Sequence, residues 1–189
     1  MNTQTGKIAF GGVLVALGVG CMLLTNVVPI ATYALPVLAG LSIMLAVIEL
    51  DKRWAMMIYA ATAMVAMLLV TDVEAKLIYL MFFGYYPVLK SIFESLHRPH
   101  FCAALKFAVF NLTVIAAYYV AIGLFDVPLS EFTLFGVQLP LLFLLLGNIV
   151  FWLMDIAMTR LATAYVMMYH ERVRKLFHLP EQPPKTKTK

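Results

Sequence analysis

Long apolar runs alternate with short polar interruptions along this chain, and their spacing predicts its elements. A bilayer core is about 30 Å thick and takes about 20 helical residues to cross. Runs near that length occupy residues 8–28, 32–50, 54–70, 74–90, 101–125 and 140–162. Pro29 closes the first, Asp51-Lys52-Arg53 ends the second, and Asp72 marks the turn after the third. In hydrocarbon every backbone N–H and C=O must be satisfied within its own segment, so each run predicts a helix. The pattern predicts an all-α integral membrane protein: a six-transmembrane-helix bundle forming a single domain over residues 1–179. The fourth helix is expected to continue to Leu96, and the sixth to run from Pro140 past Arg160 to about Phe177. Residues 126–139, with Pro128 and Gly136, are expected at the membrane interface, and 180–189 form a disordered, basic cytoplasmic tail.

Composition agrees with the pattern. Of 189 residues 63% are hydrophobic and 13% charged, and the mean hydropathy is +0.91. A soluble domain of this size could not supply a polar shell from so few polar residues. The charges add an orientation. Lys7, Lys52, Arg53, Lys90, Arg98, Lys106, Arg160 and the C-terminal basic group fall on one side of a six-span bundle. Of the 14 Lys and Arg, Lys76 alone falls opposite, beside Asp72, Glu74, Asp126 and Glu131. Positive charge marks the cytoplasmic side, so both termini are expected there, in a multi-pass protein of the cell membrane. Because the net charge of +4 sits at segment ends, it argues for lipid headgroups and against nucleic acid. Lys7 ahead of an apolar run resembles a signal peptide. The run is long enough to span and no A-x-A-like site follows, so it reads as a retained first helix. Cys21 and Cys102 read as separate apolar thiols. No metal site, cofactor motif or enzymatic motif is found, and His97-Arg98-Pro99-His100 reads as a basic loop.

Two groups of residues stand out. Gly12, Ala16 and Gly20 recur every four residues and give the first helix a smooth face. That face serves either packing within the bundle or contact with a partner membrane protein. In the sixth helix Asn148, Trp152, Asp155 and Thr159 share one stripe. An Asp near the centre of a span costs about 2.5–3.5 kcal/mol on insertion scales, so it must face the bundle or a wet cavity. A structural ion pair is the favoured role for Asp155, with Arg160 or Lys106 as the cation. Tyr79, Phe82, Phe83, Tyr85 and Tyr86 on the fourth helix, and Asn111, Tyr118 and Tyr119 on the fifth, could converge with this stripe on one cavity. Aromatic packing explains them equally well. Asn26, Asp72, Glu74 and Lys76 could close such a cavity from the outer side.

The opening Lys7-Ile8-Ala9-Phe10-Gly11-Gly12-Val13-Leu14-Val15-Ala16, the small face at Gly12, Ala16 and Gly20, Pro29, and Leu35-Pro36-Val37-Leu38-Ala39-Gly40 carry a resemblance. With the six-helix layout, they resemble the substrate-binding S components of energy-coupling-factor (ECF) transporters. The resemblance implies binding of a vitamin-like micronutrient and no catalysis. It also implies partner subunits, a coupling protein that meets the small face of the first helix and the ATPases of the ECF module. A ligand would then lie near the outer face among helices four to six. Asn26, Tyr79, Tyr118, Asn148 and Trp152 would supply hydrogen-bonding and stacking contacts. A small membrane scaffold, similar to the rod-shape-determining subunits of bacterial wall-assembly complexes, is the alternative. It would bind proteins and no solute.

Overall fold

The computed structural model describes residues 3–28, 31–96, 98–125, 133–134, 137–138 and 140–179; the side chains of Tyr118 and of residues 121–143 lie outside the described set. The expected tail, 180–189, and most of 126–139 also lie outside it. Within 126–139 a small antiparallel hairpin pairs β1 (Thr133–Leu134) with β2 (Val137–Gln138).

The rest is helical. Four helices contain stretches long and apolar enough to cross a membrane. These are α1 (Thr3–Leu24), α3 (Lys52–Leu69), α6 (Pro99–Phe125) and α7 (Pro140–Met168). Between α1 and α3 lies α2 (Ala34–Glu49), which is apolar but has only 16 residues, about 24 Å at 1.5 Å per residue. Asp51, expected to end the second run, also caps α3: its carboxylate accepts hydrogen bonds from the N–H groups of Arg53 and Trp54 at 2.8 and 3.1 Å. Asp72 caps α4 (Val73–Ile78) in the same way, through Ala75 N–H at 3.1 Å.

The expected fourth span is not one continuous α-helix. It divides into α4, a wider π-helical turn (Tyr79–Phe83) and α5 (Tyr86–Phe93). Pro87, the second residue of α5, explains the break, because its ring would clash with the carbonyl of Phe83 in a continuous helix and it has no N–H to donate. The break is packed tightly. A Cβ on Gly40 of α2 would lie 2.7 Å from the Phe83 carbonyl oxygen, and one on Gly84 would lie 2.2 Å from the Tyr59 ring. Only glycine lets these backbones approach so closely. The long C-terminal helix is likewise interrupted. It ends at Met168, Tyr169 departs from helical geometry, and α8 (His170–Phe177) follows.

α2 is the hub. It packs against α1, α3, α4, the π turn, α5 and α7, and Ala39, Gly40, Ser42, Ile43, Ala46 and Glu49 are buried along it. The two ends of the fold are tied differently. At one, Thr32 Oγ1 donates to Asp72 at 2.8 Å and the Tyr33 hydroxyl donates to Glu74 at 3.1 Å. At the other, Phe177 packs on Phe10 with ring centroids 5.0 Å apart, so the beginning and the end of the described chain meet. The small face of α1 points away from all of this. Among the described residues a Cβ on Gly12 or Gly20 would meet nothing within 4 Å, and Ala16 is exposed. Gly11, Leu14 and Gly18 form the inward face, with Gly11 against Ile58 and Gly18 against Thr62 and Ser42. Among the described residues nothing packs on the Gly12–Ala16–Gly20 face.

Candidate functional site

The residues singled out as ligand contacts do not meet at one place. Asn26 joins the ends of α1 and α3: its amide donates to Leu69 O at 3.2 Å, and its oxygen accepts from Thr71 N–H and Oγ1 at 2.9 and 3.0 Å. Tyr79 is fully buried in the α1–α2–α3–α4 core, beside the Tyr59 ring. Asn148 forms a reciprocal amide pair with Asn111 of α6, both bonds 2.9 Å, and each amide also bonds a carbonyl one turn earlier in its own helix. These two asparagines link α6 to α7 and use their hydrogen-bonding capacity on each other. Trp152 is 54% exposed. Tyr118 lies on α6, with its side chain outside the described set.

The aromatic residues near the broken helix form an interior of their own. Phe82 stacks on Tyr86, Phe110 stacks on Phe151, and Phe82 and Tyr86 meet Phe151 edge-on. They fill the space between α5, α6 and α7, where Met44, Phe82, Tyr86, Phe151 and Met158 are buried.

Against this aromatic wall four charged groups converge from three helices. Asp155 of α7 accepts hydrogen bonds from Lys106 of α6 at 3.0 Å, from the Tyr86 hydroxyl at 2.5 Å, and from Lys90 of α5. Lys90 also reaches the Asp155 carbonyl at 3.2 Å. Glu94, just past α5, accepts from Lys90 at 2.9 Å and Lys106 at 2.8 Å through the same oxygen, Oε1. Two ammonium groups thus alternate with two carboxylates, and the network is neutral as a whole. Burial alone would raise the pKa of Glu94, but the hydrogen bonds from Lys106 and Lys90 more than offset it and hold this carboxyl below its usual range. A cavity of about 380 Å³ adjoins the network, with Glu94, Lys106 and Asp155 in its wall together with Pro99, Phe151 and Trp152.

Asp155 is therefore paired with Lys106 and Lys90, and the expected pairing with Arg160 is corrected. Five residues along an α-helix turn the side chain by about 140°, so Arg160 projects from another face and is exposed. Lys90 and Glu94 were absent from the candidate list, although their i, i+4 spacing is readable in the sequence. So was Glu49, which is 2% exposed and accepts hydrogen bonds from the Tyr165 hydroxyl at 2.9 Å and His170 Nδ1 at 2.7 Å. This contact secures the α7–α8 turn against the end of α2. An acidic residue inside an apolar run was the available signal.

Among the described residues no group of three His, Cys, Asp or Glu side chains is arranged to hold a metal ion, and Cys21 and Cys102 are unpaired thiols. Among the described residues the chain is all-helical apart from the short hairpin, and its four long apolar helices give it the make-up of a multi-pass membrane protein. Comparison with protein-family models, curated proteins and solved structures finds no match.

Proposed function

We propose that this chain is a binding component of a membrane transport assembly, holding a small solute and docking on partner subunits as the S components of ECF-type transporters do. In this reading α2 and the broken α4–α5 unit complete six crossings, both termini are cytoplasmic, and no catalytic step is involved. The observation that carries it is the charged network beside a cavity. Ionisable groups within spans are costly, and they are retained where they pair with each other or line a solute path; here they pair with each other, and Glu94, Lys106 and Asp155 line a cavity. The ligand site moves accordingly, to the cavity whose wall includes Lys106, Glu94, Asp155 and Trp152. The open face at Gly12, Ala16 and Gly20 supports docking on a coupling protein, because small residues let a second helix approach closely.

The alternative, a membrane scaffold without a solute, is favoured by the Asn111–Asn148 pair, which acts as interhelical glue. Native mass spectrometry of gently solubilised protein separates the two. The binding reading expects a retained small molecule that is lost in Trp152→Ala, an exposed position whose change leaves the fold intact. It also expects co-purifying coupling and ATPase subunits. Empty protein recovered with wall-assembly proteins would reject it in favour of the scaffold.

A further inference from the structure

The two carboxylates of the network are not equivalent. Asp155 lies midway along α7 with its side chain 18% exposed, and three donors hold it. Glu94 lies beyond the last turn of α5, its side chain is 42% exposed, and a single oxygen makes both of its ion pairs. The lysines between them are 6% and 8% exposed. A half-exposed carboxylate is held weakly, whereas a buried ammonium left without a counter-charge is strongly disfavoured. With Glu94 withdrawn, two positive charges would face one negative charge, and the site would need one further negative charge.

The cavity lies at this point, with Glu94 and Lys106 in its wall and the start of α6 at Pro99 beside them. The helix dipole favours negative charge near that start. We propose that Lys90 and Lys106 receive one oxyanion, a carboxylate or phosphate group, and that Glu94 is a resident stand-in which this group displaces. The proposal rests on the binding-component reading and specifies its ligand class. The oxyanion could belong to a free solute or to a lipid headgroup, because the cavity borders the exposed Trp152.

The test uses the full chain in nanodiscs of neutral lipid, titrated calorimetrically with inorganic phosphate and with acetate. A parallel arm measures retained phosphatidylglycerol by native mass spectrometry. Glu94→Gln removes the competing charge while keeping the side-chain shape, and should bind the oxyanion at least tenfold more tightly than the parent. Lys106→Met should lower affinity at least tenfold, and Lys106→Arg should recover most of it. Tight binding of phosphate or acetate identifies a free solute; retained phosphatidylglycerol that phosphate competes away identifies a lipid headgroup. Either result supports the proposal. Equal or weaker binding in a folded Glu94→Gln protein overturns it. So does a native ligand without an anionic group, although that result leaves the binding-component reading standing. A parent protein that retains no small molecule and binds neither probe overturns both.

Discussion

Asp155 and Arg160 are five positions apart on one helix and differ greatly in consequence. Asp155 pairs with two buried lysines and takes the Tyr86 hydroxyl as well. Asp155→Asn leaves both ammonium groups with Glu94 alone. Breaking a buried pair costs about 3–5 kcal/mol, and partial exposure of Asp155 places the effect near the lower figure. For a chain of this length that corresponds to a fall of about 6–12 °C in melting temperature, measurable by thermal unfolding in detergent. Arg160→Ala should change stability by no more than about 0.5 kcal/mol, as for other exposed positions. A comparable loss in the two variants would contradict the network. At this scale the sequence is legible only in part. An Asp within a span must find a partner, and Asp155 was recognisable on that ground. Its partners were not, because Lys90 and Lys106 are brought to it by the way three helices pack.

Helix α1 carries two glycine-containing faces that have different environments. Gly18 lies against Thr62 and Ser42, where an added Cβ would come within 3.0 and 3.1 Å of their side chains; Gly12 has open space. Gly18→Leu should therefore destabilise the bundle by about 1–3 kcal/mol or more through overpacking. Gly12→Leu should leave the melting temperature of the isolated protein unchanged while reducing co-purification with a partner subunit. Melting curves and pull-downs on the two variants check this, and a destabilised Gly12→Leu would mean that the face is used internally. Small-residue spacing picks out Gly12, Ala16 and Gly20, which recur every four residues, but does not encode whether that face turns inward or lies open. The α4–α5 break was similarly present in the sequence as Pro87, but the apolar run around it dominated the pattern.

For the whole molecule, the packing of Phe177 on Phe10 brings both ends of the described chain to one side. The Lys and Arg distribution independently predicts that both termini are cytoplasmic. Reporter fusions at each terminus should report a cytoplasmic location, and a reporter inserted at Thr71 should report the opposite side. Termini on opposite sides would refute the six-crossing arrangement. The sequence by itself determined that the chain is helical and built for lipid, because hydrocarbon admits few solutions for an unpaired backbone and tolerates few charges. It also determined where three helices begin, through Asp51, Asp72 and Pro140, whose effects are local. Only the tertiary structure decided which face of α1 is open, and that Asn111 and Asn148 are consumed by each other. It alone placed Lys90, Glu94, Lys106 and Asp155 beside one cavity. Those facts depend on the rotation and register of helices far apart in the chain, which packing sets and one-dimensional spacing does not encode.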